Sequence, residues 1–175
     1  MQLKDPQLLR QQCYIDGAWV DAAGGERQSV TNPATGETLA HVPTMGAADT
    51  KRAIDAAARA FGPWSKLTAK ERGGRLRRWF ELMMANQDDL ATLMTAEQGK
   101  PLAESKGEIA YAASFIEWYA EEGKRVNAES VTSHLPGAEM IVRREALGVV
   151  GVVTPWNFPS AMLTRKAGAA LAVLL

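Results

Sequence analysis

The residues whose types best suit chemistry lie near the end of the chain, at positions 154–158. The amide of Asn157 can donate a hydrogen bond to an oxygen that gains negative charge during a reaction. An asparagine here is equally suited to capping the helix that the residues from Pro159 onward predict. The residue types alone leave both roles open.

A second group of residues follows Asn157 at helical spacing. Phe158, Met162 and Arg165 are four and three residues apart, so they lie on one face of the predicted helix. An apolar face that ends in a guanidinium suits a short aliphatic molecule with a distal carboxylate, which Arg can bind with two parallel hydrogen bonds. The alternative is a solvated or salt-bridged arginine on a helix surface.

A strand, a crossover and a helix must position these residues. The β-branched run in 147–153 predicts a buried strand, which Thr154 and Pro155 end. Residues 154–158, here called the crossover, then connect this strand to a helix, and open α/β sheets bind ligands at such points. Trp156 either fills a hole in the core or presents its backbone to a ligand.

The rest of the chain predicts strands followed by helices. Strand signals occur at 14–20, as a hairpin around Asp16 and Gly17, at 30–37 and 39–42, as two strands around a Pro/Gly turn, and at 140–144. Four helices are predicted. The first runs from Asp49 or Thr50 to Gly62 and Pro63, and the second begins at Thr68, with its capping-box partner Glu71, and runs beyond Met84. The third runs from Asp88 or Asp89 to Gly99, and the fourth from Leu102 to Gly123. Residues 124–137 read as an irregular connection.

Composition and charge exclude several classes of function. The 175 residues include 20 basic and 20 acidic side chains, which gives no electrostatic reason to expect nucleic acid or an anionic membrane as a partner. The longest apolar stretch, 167–175, is far shorter than the roughly 20 residues of a membrane span. One cysteine and a polar N-terminus indicate a cytoplasmic protein without disulfides.

The other reactive side chains carry weaker signals. Cys13 has neither a neighbouring histidine nor a glycine-rich turn, so we expect an inert thiol. His41 and His134 are isolated, and we expect no metal site. The glycines at 148 and 151 lie in the predicted strand and form no phosphate-binding fingerprint.

Several segments together resemble the aldehyde dehydrogenase superfamily, in family order. They are IDGAWV, VTNPATGE, LTAKER, TAEQGKPLAE with KGEI, ASFIEWYAEEGKR and TPWNFP, and the continuation SAMLTRK is similar to the succinate-semialdehyde dehydrogenase branch. The resemblance implies an α/β fold, the N-terminal part of an aldehyde dehydrogenase, with helices on an incomplete Rossmann-like cofactor domain. It divides the chain into an N-terminal tail at 1–12, an incomplete cofactor-binding domain at 13–128 and 147–175, and an oligomerisation strand segment at 129–146.

The same resemblance implies roles for individual residues. Asn157 matches the donor to the oxyanion of a cysteine thiohemiacetal, and Thr154, Pro155, Trp156 and Asn157 would lie against the NAD or NADP cofactor. Phe158, Met162 and Arg165 would bind a small aldehyde substrate, with Arg165 on the carboxylate of succinate semialdehyde. The full-length enzyme would be a homo-oligomer, a dimer or tetramer.

The resemblance also implies missing parts. In the family the nucleophilic cysteine, the general-base glutamate and the glycine loop follow the crossover helix, which in this sequence stops at Leu175. We therefore expect an N-terminal fragment that lacks the catalytic domain, is inactive alone and leaves apolar side chains uncovered at its end. The alternative is a non-catalytic remnant that acts only through subunit association of its 129–146 strands.

Overall fold

The computed structural model describes residues 1–173. Its strands are β1 Cys13–Ile15, β2 Ala18–Val20, β3 Arg27–Thr31, β4 Thr38–Pro43, β5 Glu129–Val131 and β6 Met140–Val142. Its α-helices are α1 Ala47–Ser65, α2 Ala69–Ala85, α3 Gln87–Gln98, α4 Leu102–Glu122 and α5 Pro159–Val173, and two short 3-10 helices span Pro6–Leu8 and Gly123–Arg125.

The strands of residues 1–173 pair as three antiparallel hairpins, β1 with β2, β3 with β4 and β5 with β6. The first confirms the hairpin predicted around Asp16 and Gly17, whose φ angles of 54° and 80° match a two-residue turn with both φ values positive. The two strands predicted at 30–37 and 39–42 around a Pro/Gly turn are confirmed as β3 and β4, and β3 ends at Thr31 where the turn begins. Asn32 accepts a hydrogen bond from the amide of Ala34 at 2.9 Å, so the chain turns there before β4 begins.

The helix ends follow local signals except at both ends of α1 and at the start of α3, which begins at Gln87 rather than at Asp88 or Asp89. Thr68 and Glu71 form the predicted capping box of α2, and Gly99 ends α3 with a φ of 82°. Helix α1 begins three residues earlier than predicted, because Gly46 is the N-cap and Asp49 accepts its amide from inside the helix. The helix also continues through Pro63 to Ser65, whose hydroxyl donates to the carbonyl of Gly62 at 2.9 Å.

The main core lies where α4 packs between α2 and α5. Ile116 of α4 is completely buried, as are Ala112, Ala113 and Ala161. Helix α5 contributes small residues to this contact, and a Cβ on Gly168 would lie 3.1 Å from Cδ1 of Ile116. Helix α5 is therefore held closely against α4, and this contact fixes where the crossover meets the core.

The buried strand predicted at 147–153 is wrong for residues 1–173. The segment forms no strand and no strand pairing, Gly148 has a φ of 124°, and Leu147 and Val153 are 87% and 89% exposed. A strand needs a neighbour for its backbone hydrogen bonds, and β6, the strand preceding it, pairs with β5 instead. The strand predicted at 140–144 likewise ends at Val142.

An apolar groove of about 670 Å³ lies between α1, α5 and the unpaired segment at 147–153. Phe61 and Trp64 form one wall, while Val149 and Val152 form another. Residues 1–173 contain no helix with the length and apolar character needed to cross a bilayer. The apolar end expected at Leu175, together with Leu174, lies outside the described residues.

Candidate active site at the crossover

The crossover ends where α5 begins. The carbonyl of Phe158 accepts the first helical hydrogen bond, from the amide of Met162 at 2.9 Å, and Pro159 is the first helical residue. Proline suits this position because its missing N–H would have no partner inside the helix. Asn157 therefore lies just before the first residue bonded into the helix.

The first free amides of α5 are bound by a residue from another helix. Glu108 of α4 accepts hydrogen bonds through Oε1 from the amides of Ser160, at 3.0 Å, and Ala161, at 3.3 Å. Because Glu108 caps this helix, the alternative role of Asn157 as the cap is not the one seen in the structure. A carboxylate at this position is also favoured by the helix dipole.

Lys100, in the loop between α3 and α4, completes the arrangement. Its Nζ forms an ion pair with Glu108 and donates to the main-chain carbonyl of Asn157 at 3.0 Å. The same ammonium lies 4.1 Å from the ring centroid of Phe158, which adds a cation–π contact. Lys100 thus holds the main chain of the crossover at Asn157, and its ion-pair partner Glu108 holds the first turn of α5.

The side chains of the crossover face outward. Asn157, Thr154 and Pro155 are exposed, and the Trp156 side chain is 79% exposed. Trp156 therefore fills no hole in the core formed by residues 1–173. The amide of Asn157 and the backbone before it are open to a ligand.

Arg165 lies two turns into α5, against aromatic side chains of α4. Its Nη2 donates to the hydroxyl of Tyr111 at 2.6 Å, and its Cζ lies 4.7 Å from the ring centroid of Phe115. Among residues 1–173 it forms no ion pair with a carboxylate. Met162, on the same side of the helix, is half-buried. The guanidinium thus keeps free N–H donors beside an aromatic surface.

The sequence did not point to Lys100, Glu108 or Tyr111 as members of this site. A signal existed for Glu108, because it shares a helix face with Ile109 and Ala112 and is a charged residue in an otherwise apolar stripe. Lys100 precedes a proline in a loop, and no spacing rule connects it with Asn157.

The remaining reactive side chains lie elsewhere. Cys13 is a half-buried free thiol in β1, and His41 shares a hydrogen bond of 3.3 Å with Ser29 in the second hairpin. Over residues 1–173, no three His, Cys, Asp or Glu side chains are grouped to hold a metal ion.

Comparison with known proteins agrees with this architecture. Residues 19–173 match the aldehyde dehydrogenase family. The chain belongs to this family, as the resemblance predicted.

The relatives that this sequence resembles include semialdehyde dehydrogenases. The chain is 63% identical over 172 residues to glutarate-semialdehyde dehydrogenase of Pseudomonas putida (strain KT2440), covering 98% of this chain and 36% of the relative. It is 60% identical to the NADP(+) succinate-semialdehyde dehydrogenase GabD of Escherichia coli (strain K12), with the same coverage. The crystal structure of succinate-semialdehyde dehydrogenase from Burkholderia pseudomallei superposes with a TM-score of 0.96 at 56% identity, over 99% of this chain and 36% of that one. The chain spans about a third of the length of these relatives, and it has their fold.

Proposed function

We propose that these residues serve an NAD(P)-dependent aldehyde dehydrogenase that oxidises a short aldehyde with a distal carboxylate, most specifically succinate semialdehyde to succinate. The observation that carries the proposal is the crossover itself, where an exposed Asn157 amide stands on a fixed main chain and Arg165 follows on the next helix. The named relatives support the substrate class, because glutarate semialdehyde and succinate semialdehyde both carry a carboxylate beyond the aldehyde.

In the proposed mechanism Asn157 acts on the oxygen of the aldehyde. Attack by a cysteine thiolate on the carbonyl carbon forms a thiohemiacetal, and its oxygen gains negative charge that the Asn157 amide stabilises by donating a hydrogen bond. Removing one such donor costs about 3–4 kcal/mol in enzymes of this general type. Cys13 lies in β1 and its hairpin, so we assign the thiolate to a residue outside this chain.

The exposed backbone and ring at 154–156 fit a dinucleotide lying against the crossover. NAD(P)+, when bound, supplies the hydride acceptor for the oxidation. Thr154, Pro155, Trp156 and Asn157 are the residues that would contact it, through backbone groups that residues 1–173 leave open. Their role is to orient the acceptor beside the carbon that Asn157 helps to activate.

Arg165 is the proposed partner of the distal carboxylate. An arginine has five N–H donors, and the bond to Tyr111 uses one of them. Phe158 and Met162 precede it on α5 and would contact the aliphatic part of the substrate. A guanidinium stacked on Phe115 is held in orientation without a competing carboxylate, which suits the binding of a second anion.

The β5–β6 hairpin is the proposed contact between subunits of a homo-oligomer. All six of its strand residues are exposed, including Ile141 at 57%, and its outer edges are unpaired within residues 1–173. This hairpin also favours the second candidate function, a non-catalytic chain that acts only by associating with intact subunits. Co-purification with a full-length relative, combined with absence of turnover, would distinguish that role.

The substrate assignment is tested by grafting residues 1–173 in place of the matching segment of Escherichia coli GabD. In this enzyme Arg165→Leu should lower kcat/KM for succinate semialdehyde by roughly 30- to 4000-fold, the effect of about 2–5 kcal/mol for a desolvated charge left without its partner. The value for butanal, which has similar length and no carboxylate, should change little.

A matched control is Arg77→Leu. Arg77 also lies on a helix surface, 4.8 Å from the ring centroid of Phe80, and bonds to a side chain of α4. It should leave the preference for the acidic substrate unchanged. Equal losses for both aldehydes with Arg165→Leu would instead assign Arg165 a structural role.

A further inference from the structure

We propose that Lys100 and Glu108 are positioning residues that set the orientation of Asn157 and so determine how well its amide supports the oxyanion. The inference rests on the proposed function of Asn157. It is drawn from the hydrogen bonds that Lys100 and Glu108 form with other residues.

The pair is buried to a degree that is unusual for two charges. The side chains of Lys100 and Glu108 are 9% and 1% exposed. Removing both from water costs several kcal/mol per ion, so a buried ion pair is weak evidence for added stability. The polar contacts of the two side chains beyond their mutual bond go to Asn157, Ser160 and Ala161.

These contacts connect the crossover to the rigid part of the molecule. Glu108 belongs to the buried face of α4, next to Ile109, which is 3% exposed. Lys100 follows Gly99, where a Cβ would lie 2.9 Å from Cγ of Pro33, so its loop is closely packed as well. The core therefore fixes Glu108 through α4, the close approach to Pro33 restrains the loop of Lys100, and the two charged groups hold the carbonyl of Asn157 and the first turn of α5.

The position of the Asn157 carbonyl bears directly on its amide. The side chain is exposed and its residue is bonded to the protein through the main chain. Its direction therefore depends on the backbone that Lys100 holds. Because an oxyanion donor works by being aimed before the reaction, a misplacement of about 1 Å can cost on the order of 100-fold in rate.

The two residues of the pair also have different roles, one as a hydrogen-bond acceptor and the other as a donor. The amides of Ser160 and Ala161 need an acceptor, which Glu108 supplies, and the carbonyl of Asn157 needs a donor, which Lys100 supplies. Exchanging the two residues keeps an ion pair but places an ammonium against two N–H groups and the positive end of α5. A pair that serves only as a salt bridge would tolerate this exchange, and a positioning pair would not.

The first test uses the 175-residue chain and amide hydrogen exchange resolved by residue. Glu108→Ala and the double variant Lys100→Glu with Glu108→Lys should each speed exchange of the Ser160 and Ala161 amides by about 10-fold or more relative to the later turns of α5. The control is the exposed pair Arg77→Glu with Glu117→Arg, which should leave these amides as in the wild type.

Restoration of slow exchange in the reversed Lys100–Glu108 pair would overturn the inference, as would unchanged exchange in Glu108→Ala. If Glu108→Ala does not fold, Lys100→Met serves instead, since it leaves the Glu108 acceptor in place and removes the donor to Asn157, together with the ion pair to Glu108 and the contact with the Phe158 ring. In that variant the amide of Phe158, which follows the released carbonyl, should show a changed chemical shift, and an unchanged spectrum at 157–159 would contradict the proposal.

The second test measures kinetics in the grafted enzyme. Lys100→Met should lower kcat by about 10- to 100-fold and leave KM within roughly threefold, because the donor acts on charge present only in the transition state. Combining it with Asn157→Ala should add little to the loss from Asn157→Ala alone, since both changes remove the same interaction.

Different results would contradict the oxyanion role of Asn157 and the positioning role of Lys100. If Asn157→Ala leaves kcat unchanged, the proposed oxyanion role is wrong, and with it the catalytic part of this inference. If Asn157→Ala lowers kcat and Lys100→Met does not, the oxyanion role stands and the positioning role is wrong.

Discussion

Asp88 and Asp89, at the start of α3, bind the N-terminal residues to the helices. Asp89 accepts the main-chain amides of Lys4 at 3.0 Å and Asp5 at 2.8 Å, and Asp88 accepts the ammonium groups of Lys106 at 2.8 Å and Lys4 at 2.9 Å. The bonds from Lys106 and Lys4 lower the pKa of the Asp88 carboxyl to about 2. Those from the Lys4 and Asp5 amides lower the pKa of Asp89.

These pKa values predict an acid-dependent release of residues 1–12. Both carboxyls have folded pKa values below their ordinary value of 3.8, so their stabilising contribution is present above that pH. The Asp88 contribution should be lost as the pH falls from about 4 to about 2, and the Asp89 contribution as the pH falls through its lowered pKa, so the amides of Lys4 and Asp5 should then lose their protection relative to the intrinsic exchange rate at each pH. Asp89→Asn should show fast exchange already at neutral pH.

Asp55→Asn is the matched control, because Asp55 pairs with Lys51 inside α1 and touches no residue of the N-terminal segment. It should leave exchange at Lys4 and Asp5 unchanged at every pH. Amides that stay protected at pH 2 in the wild type would show that other contacts hold this segment.

Individual site residues were predictable where their chemistry is local. Asn157 and Arg165 could be proposed from residue type, helical spacing and the family resemblance, and their roles stay predictions. Lys100 contacts Asn157 from 57 residues away in sequence, Tyr111 contacts Arg165 from 54 residues away, and Glu108 contacts Ser160 from 52 residues away. Such contacts depend on how α4 packs on α5, which no local pattern encodes.

At the scale of elements, neighbouring glycines in α2 distinguish packing from helix propensity. A Cβ on Gly73 would lie 2.6 Å from the main-chain oxygen of Ala120 in α4, whereas a Cβ on Gly74 would have no heavy atom within 4 Å. Gly73→Ala should lower the free energy of unfolding by about 1–3 kcal/mol, because α2 and α4 must separate. Gly74→Ala should raise it by about 0.5–1 kcal/mol.

Urea denaturation of both variants at neutral pH measures these two changes. The opposite signs are the decisive result, since both substitutions add one methyl group to the same helix. Stabilisation by Gly73→Ala would mean that the close approach of α2 to α4 is not maintained in solution.

Elements were predictable where short-range signals define them. The capping box of Thr68 and Glu71, the αL end at Gly99 and the turn at Asp16 all depend on residues within one or two turns of each other. The strand predicted at 147–153 failed because a strand is defined by its neighbour. No described strand lies beside this β-branched run, so its backbone has no partner with which to form a ladder.

At the scale of the whole molecule, α4 is the element to which the site is attached. It packs against α2 and α5 in the core, carries Glu108 at the crossover and presents Tyr111 to Arg165. On another face of α5, residues 147–153 and the apolar groove beside α1 leave Val149 and Val153 exposed. The fold therefore combines a tightly packed helical layer with an open side.

That open side makes the backbone between β6 and α5 the place where a protease should cut first. A protease needs an exposed chain whose backbone is not bonded into a helix or sheet, and the segment around Leu147 and Trp156 offers this, with side chains 87% and 79% exposed. Trp118 is an internal control, because its side chain is 62% exposed while its backbone is bonded within α4. Brief digestion with chymotrypsin, followed by mass spectrometry, should show cleavage after Leu147 or Trp156 before any after Trp118. A first cut after Trp118 would mean that α4 unfolds locally more readily than the protease binds the segment between β6 and α5. Where the expected cleavage is seen, its loss in the presence of a second chain would show that the chain covers the open side at Leu147 and Trp156.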